Sequence, residues 1–200
     1  QSLKVANGLQ VERLLRQNEE IKKLNEEYDE IDIYSGTEMD ILPDGSLDYD
    51  DEVLAQLDYV IVAIHQSFNQ SEDEIMKRLE VACKNPYVRH IAHPTGRIIG
   101  RRPGYKPNIE KLMKLAEETN TILEINANPK RLDLNAETVR KYPNVKLTIN
   151  TDAHHTNHLE FMKYGVATAQ KGFVTKDRVI NALSREEFKS LVENNIKLKK

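Results

Sequence analysis

The sequence predicts an α/β fold, either a parallel sheet or a barrel with helices outside it. Short β-branched or apolar runs alternate with longer helical patterns along the chain. This strict order of strand and then helix is typical of parallel sheets. No linker, low-complexity tract or internal repeat divides residues 1–200, so we predict a single domain.

Five segments have the composition of strands and are separated by helical patterns. These segments are IDIYSGTEM, LDYVIVAIH, VRHIAHP, TILEINAN and KLTINTDAH. The helical pattern over residues 71–84 begins at Ser71 and has acidic residues in its first turn, and the pattern over residues 108–119 follows Pro107. A third helix is predicted over residues 135–142, with Asn135 as its candidate cap.

The two ends of the chain depart from the alternation. Residues 8–28 form a helical pattern with no strand in front of it. Residues 176–196 predict two short helices, and Ser184 with Glu187 three residues later has the spacing of a capping box for the second. Residues 165–172 fit either a strand or a turn, and the pattern does not decide between them.

The composition is that of an ordinary soluble chain. Of 200 residues, 39% are hydrophobic and 30% are charged, which is enough apolar material for a sizeable core. No run of about 18 apolar residues and no secretory leader is present, so we expect no membrane association. A single cysteine, Cys83, excludes an internal disulfide and a cysteine-based zinc site, and favours the reducing cytoplasm.

The net charge of −3 conceals an uneven distribution of charge. Residues 19–58 contain 15 acidic and 2 basic residues, whereas residues 89–106 contain five basic residues and no acidic one. Solvated helix faces would account for the acidic stretch. The alternative is that the basic segment forms a rim for an anionic substrate.

Each predicted strand ends in a polar residue of a type that binds metals or transfers protons. These residues are Glu38, His65, His93, Asn126 and the pair Asp152 and His154. Carboxyl ends of parallel strands meet on one face, so residues that are far apart in sequence come together there. A single histidine at a strand end is commonly structural, but this set of imidazoles and carboxylates suits zinc, manganese or iron. Asp152 and His154, two residues apart on an extended segment, are expected on the same side.

The loop after His93 is rich in glycine, proline and arginine. Arg97, Arg101 and Arg102 would lie beside the predicted metal face, where guanidinium groups can bind phosphate through two hydrogen bonds. Lys171 is a weaker candidate of the same kind. The alternative is an ordinary solvated loop.

Dinucleotide, P-loop and serine hydrolase motifs are absent from the sequence. Metal-assisted hydrolysis remains, in which bound ions supply hydroxide near neutral pH and stabilise charge on a phosphoryl group. We therefore assign catalysis to a metal-bound water, with no side chain named as the catalytic residue.

The segments GTEMDIL, AIHQSF, HIAHPTGR, LEINANP and NTDAHH resemble the polymerase and histidinol phosphatase (PHP) domain, specifically the form at the C-terminus of bacterial family X DNA polymerases. The resemblance covers essentially all 200 residues. It implies a distorted, TIM-like barrel of seven βα units with three metal ions. It also implies a manganese-dependent 3′–5′ exonuclease of base excision repair, with DNA and the polymerase domains of the full-length chain as partners.

The resemblance also implies roles for individual residues. Glu38 would bridge two ions, with His65 and His93 completing one of these sites. Asp152 would bind the neighbouring ion and His154 the third. Asn126 would line the same face, and Arg97 with its neighbours would approach DNA phosphates.

The family's His-x-His and Asp-His-Ser type motifs are absent from this sequence. We therefore expect an N-terminally truncated barrel that lacks its first two strands and about four ligands. Such a fragment would hold at most one ion tightly, manganese or zinc, and its nuclease activity would be weak or absent. Two alternatives stay open: a small-molecule phosphomonoesterase of the histidinol phosphatase type, and a non-catalytic module that supports a polymerase.

Overall fold

The computed structural model describes residues 8–193, in which helices and strands alternate. The strands are β1 (Gly36–Asp40), β2 (Tyr59–Ala63), β3 (Val88–Ile91), β4 (Ile122–Asn126) and β5 (Leu147–Asn150). The helices are α1 (Val11–Glu27), α2 (Asp51–Leu54), α3 (Glu72–Lys84), α4 (Ile109–Glu118), α5 (Ala136–Lys141), α6 (Met162–Lys171) and α7 (Arg185–Glu193). Short 3₁₀ helices span Thr156–Phe161, Lys176–Arg178 and Ile180–Ala182.

The five strands form one parallel sheet in the order β1-β2-β3-β4-β5. The predicted α/β class and all five predicted strands are therefore confirmed. Each strand pairs with the next one along the chain, the order that helical crossovers produce. Within residues 8–193 no pairing joins β1 to β5, so closure into a barrel is not confirmed. Nor do the described strands support the expectation that two further strands are missing.

The two faces of this sheet differ in chemistry. One face is apolar and packs under helices α3 and α6, with buried side chains at Val62, Ile91, Leu123, Ile125, Leu147 and Ile149. Strand register places polar side chains together on the other face, which we call the polar face: Glu38, Asp40, His90, Glu124, Asn126, Thr148 and Asn150. Since side chains alternate along a strand, the apolar residues form the core and leave the polar ones grouped.

Polar caps begin the three predicted central helices. Ser71 and Glu74 form a reciprocal capping box at the start of α3. The side chain of Asn108 accepts from the amide of Lys111 at 3.0 Å, and that of Asn135 accepts from the amide of Thr138 at 2.9 Å. These bonds satisfy amide groups that have no partner within the first turn.

Residues 165–172, for which the sequence left strand or turn open, lie almost entirely in helix α6. Gly165 allows this helix to lie directly on the sheet, because a Cβ there would come within 2.4 Å of Ile149 Cγ2 and 2.7 Å of Ala127 Cβ. In the sequence Gly165 is compatible with a turn, whereas in the structure it allows a helix to pack closely on the sheet.

The ends of the described chain follow the prediction closely. Helix α1 has no strand before it within the described residues. The second predicted C-terminal helix is α7, whose capping box is formed by Ser184 and Glu187, with Glu187 N–H donating to Ser184 Oγ at 3.2 Å. The first predicted C-terminal helix is replaced by two 3₁₀ helices. The predicted end of the second helix, at residue 196, lies outside the described residues. Across residues 8–193, no helix combines the length and apolar character needed to cross a bilayer.

Candidate metal centre

Three of the predicted ligands converge at the carboxyl edge of the sheet. Glu38 lies in β1, and His65 and His93 follow β2 and β3. Glu38 Oε1 is 3.0 Å from His93 Nε2 and 3.3 Å from His65 Nε2. One ligand atom from each residue lies within 4.8 Å of the other two. Within the described residues, Glu38, His65 and His93 form a group of possible ligands that is close enough to share one ion.

Buried carboxylates hold the backbone at both histidines. Asp40 Oδ1 accepts from the amide of His65 at 3.0 Å, and Glu124 Oε2 accepts from the amide of His93 at 2.6 Å. His93 has a φ of 30°, in the left-handed region that non-glycine residues adopt only when their surroundings impose it. Strand ends and buried acids together fix where both imidazoles point.

The charges of the three side chains are strongly coupled. Burial alone would raise the pKa of Glu38, but hydrogen bonds from His65 and His93 outweigh it and hold the pKa well below its usual range. Burial opposes the charged form of His65, and its contacts with Asp40 and Glu38 raise its pKa to about 9. An imidazole binds a metal in its neutral form, so an ion entering this cluster releases a proton.

The donor atoms of Glu38, His65 and His93 fit a divalent metal ion. Two imidazole nitrogens and one carboxylate, without a thiolate, suit zinc, manganese or iron. Three protein ligands are also the number that catalytic zinc sites use, since a position stays open for water or substrate. His65 Nδ1 faces Asp40 Oδ1 at 3.7 Å, an acid in the place where ligand histidines commonly have an orienting partner.

Asp152 and His154 lie at the same edge but outside the cluster. Asp152 Oδ2 forms an ion pair with Arg131 Nε at 3.1 Å and accepts from Asn126 Nδ2 at 3.2 Å. His154 is exposed, and its Nδ1 lies 3.6 Å from Asp152 Oδ1, so the two side chains are neighbours as expected. The expected extended backbone is wrong at Asp152, whose φ of 51° turns the chain just beyond β5.

The predicted phosphate-binding residues have different surroundings. Arg97 Nε donates to the carbonyl of Arg131 at 2.8 Å, and another Arg97 nitrogen donates to the carbonyl of Leu132. Arg102 donates to the carbonyl of Gly96 and lies 4.2 Å above the Phe68 ring.

The other three predicted phosphate-binding residues differ in exposure. Arg101 and Lys171 are exposed. Asn126 is fully buried, and its amide group links Glu124 to Asp152.

Sequence reasoning missed Asp40, Glu124 and Arg131. Asp40 stands two residues after Glu38 and Glu124 two residues before Asn126, so strand alternation places each on the face already identified. Burial, opposed by bonds from His93 and two asparagines, raises the pKa of Glu124 to about 7. Arg131 had no such signal, because its pairing with Asp152 joins two loops that are 21 residues apart.

Comparison with known proteins finds chains that are similar to this one. The chain is 54% identical over 197 residues to the DNA polymerase/3′-5′ exonuclease PolX of Bacillus subtilis (strain 168), a match that covers 98% of this chain and 35% of that protein. It is 28% identical over 173 residues to a probable phosphatase of Thermoanaerobacter sp. (strain X514), covering 80% of this chain and 68% of that one. A probable phosphatase of Acetivibrio thermocellus is 32% identical over 97 residues, covering 47% of this chain and 38% of that protein. No protein-family model matches the chain.

The chain spans about a third of the length of the Bacillus subtilis protein, in its C-terminal part. The shorter probable phosphatases align with the same kind of domain. Over 98% of its length the chain is therefore similar to the C-terminal region of a bacterial PolX, and the probable phosphatases are consistent with the PHP domain that its motifs resemble.

Proposed function

We propose that this chain is a metal-dependent phosphoesterase domain that removes nucleotides from DNA 3′ ends, as a 3′–5′ exonuclease in base excision repair. The observation that supports this most strongly is the convergence of Glu38, His65 and His93 within 4.8 Å at the carboxyl edge of a parallel sheet. Ligands and active sites of α/β folds lie at this edge. The relative at 54% identity is named as a 3′-5′ exonuclease, which supports DNA as the substrate.

Glu38, His65 and His93 would hold the ion, which we propose to be manganese or zinc. A divalent ion bound there would act as a Lewis acid and provide a strong nucleophile near neutral pH. Glu38 remains ionised under these conditions, because its pKa lies well below the usual range. Asp40 and Glu124 hold the backbone of the two histidines and so keep the imidazoles in place.

Asp152 and His154 are proposed as ligands of further ions at the same edge. Their side chains lie 3.6 Å apart, and Asn126 connects Asp152 to the acid that supports His93. We further propose that the five-stranded sheet belongs to a TIM-like barrel and that polymerase domains of the full-length chain are partners. We also propose a cytoplasmic location, since the proposed substrate is DNA.

Arg97, Arg101, Arg102, Asn126 and Lys171 remain the proposed contacts for phosphate. Arg101 and Lys171 are exposed and can reach an anion directly. Arg102 is committed to the Gly96 carbonyl and to Phe68, so its contribution is to shape the loop beside the ions. Buried Asn126 would act through Asp152.

The test combines metal binding with DNA hydrolysis. Titration calorimetry with Mn²⁺ and with Zn²⁺ is expected to show one tightly bound ion in the unaltered chain and none in Glu38→Gln or His65→Ala. The unaltered chain is expected to degrade a 5′-labelled oligonucleotide weakly in Mn²⁺, and this activity is expected to disappear in the same variants. Glu80→Gln, which alters an exposed acid on α3, is the matched control and should change neither result.

Two results would contradict the proposal. The metal site fails if the unaltered chain binds neither ion. The nuclease assignment fails if Glu38→Gln in the full-length protein leaves nuclease activity unchanged, which is the result expected of a non-catalytic module. Hydrolysis of a small phosphate monoester at high salt, without hydrolysis of DNA, would instead assign the phosphomonoesterase activity.

A further inference from the structure

A surface groove with a volume of about 380 Å³ lies between the loop after His93 and helix α6. Arg97 and Asn135 contribute to one wall, and Tyr164, Thr168 and Lys171 contribute to the other. The three residues on α6 are spaced by one helical turn each, so they form a stripe along the groove. From Tyr164 to Lys171 this stripe is about 10 Å long.

The groove begins at the edge that carries the metal cluster. Arg97 follows the ligand His93 by four residues, and its Nε donates to the carbonyl of Arg131, the residue that forms an ion pair with Asp152. Helix α6 follows the short 3₁₀ helix after β5. Both walls therefore start in loops at the carboxyl ends of strands, where the ester bond would be cleaved.

The charged side chains that line the groove are both cations. Neither Arg97 nor Lys171 takes part in an ion pair with a carboxylate of residues 8–193. Bonds to the carbonyls of Arg131 and Leu132 hold the Arg97 guanidinium in place. A fixed cation without a carboxylate partner is preorganised for an anion, because little side-chain entropy is lost when the anion binds.

An exposed aromatic ring lines the same groove as the two cations. Tyr164 is 41% exposed, and its ring lies 6.2 Å from the ring of Phe161, which is partly buried against the core. Lys163 adds a further positive charge 5.3 Å from the same ring. An aromatic ring in a positively charged groove is the combination that binds single-stranded nucleic acid, since bases stack on rings and phosphates meet cations.

We propose that this groove binds the single-stranded segment of DNA that leads to the 3′ end being cleaved, with a base stacked on Tyr164 and phosphates at Arg97 and Lys171. The inference rests on the proposed exonuclease function. Paired bases in a duplex already stack on one another, so the Tyr164 ring gains a partner only from an unpaired base.

Fluorescence anisotropy of labelled DNA tests the groove independently of catalysis, because it can be measured in EDTA. DNA with a 3′ single-stranded extension is expected to bind more tightly than the same duplex with blunt ends. Tyr164→Ala should weaken binding of the extended DNA about tenfold, whereas Tyr164→Phe should retain it. Tyr28→Ala removes an exposed ring on another surface and should have no effect.

The contribution of the Lys171 charge is tested by the salt dependence of DNA binding. Lys171→Ala should lower the slope of log Kd against log salt by about 0.7, the value for one phosphate contact on a single strand. Lys171→Arg should restore the slope, and Lys114→Ala, an exposed lysine on α4, should leave it unchanged.

Equal binding of extended and blunt DNA, or full binding by Tyr164→Ala, would overturn the groove proposal even if metal-dependent hydrolysis is found. Groove-dependent DNA binding without any metal bound at Glu38, His65 and His93 would instead leave the groove standing and reject the nuclease function.

Discussion

Two clusters of candidate ligands lie at the same edge of the sheet, and their donor atoms have different partners within the protein. At Glu38, His65 and His93, the donor atoms face one another at 3.0 and 3.3 Å. At Asp152, the carboxylate is already occupied by Arg131 and Asn126, and His154 points into solvent. We therefore expect Asp152 and His154 to bind an ion more weakly, because Arg131 and Asn126 compete with a metal for the Asp152 carboxylate.

The difference has a local physical cause. Glu38 lies within a strand, and the two histidines are held by bonds from their backbone amides to buried acids. Asp152 lies beyond the end of β5 in a left-handed conformation, at the start of an exposed segment. Its neighbours can therefore move more freely, and Arg131 from another loop reaches its carboxylate.

The largest difference between the two clusters is expected in metal affinity. His93→Ala should lower the affinity for Mn²⁺ by at least about a hundredfold, because loss of an outer partner alone costs 10- to 100-fold. His154→Ala is expected to leave the tightly bound ion unchanged. Calorimetric titration of both variants measures this directly. A larger loss in His154→Ala than in His93→Ala would reverse the ranking of the two clusters.

A smaller loss is expected when the support beneath the first cluster is altered. Glu124 accepts from the amide of His93 and from the side chains of Asn126 and Asn150 at 2.6 to 3.1 Å. Glu124→Gln keeps the shape but presents an NH₂ group to asparagine donors, so we expect about a tenfold loss of Mn²⁺ affinity.

Glu117→Gln, on the exposed side of α4, is the matched control for this substitution. Circular dichroism of the Glu124→Gln chain separates misfolding from a displaced ligand. Unchanged affinity in a folded variant would show that His93 does not depend on Glu124.

The same contrast shows which features of the fold and of the candidate site could be predicted from the sequence. Strand composition and alternation predicted all five strands, and polar caps predicted the starts of the central helices. Both kinds of signal are local in the sequence. The convergence of Glu38, His65 and His93 was predicted because parallel strands bring their carboxyl ends together. The ion pair of Arg131 with Asp152 could not be predicted, because it depends on how two loops pack. Barrel closure is equally non-local, and within residues 8–193 the sheet does not show it.

The smallest predicted effect concerns the histidine on the polar face, His90, which lies outside both clusters. It is fully buried, its Nε2 lies 3.0 Å from Thr148 Oγ1, and burial lowers its pKa to about 3. Between pH values of about 3 and 6.5 the unfolded chain therefore binds a proton that the folded chain does not. Stability is lost as the pH falls below about 6.5, by at most about 1.4 kcal/mol per pH unit from this group.

His90→Gln should remove this contribution while keeping a polar partner for Thr148, so its stability should fall less steeply with acid than that of the unaltered chain. Urea unfolding in EDTA at about pH 7.5 and about pH 5.5 measures the two slopes, and their difference cancels groups such as Glu124 that titrate in both proteins. His155→Ala, an exposed histidine, should show the original slope. Parallel slopes in His90→Gln and the unaltered chain would mean that His90 is protonated in the folded protein. The polar face would then accept a charge at its centre and not only at the edge where the ligands meet.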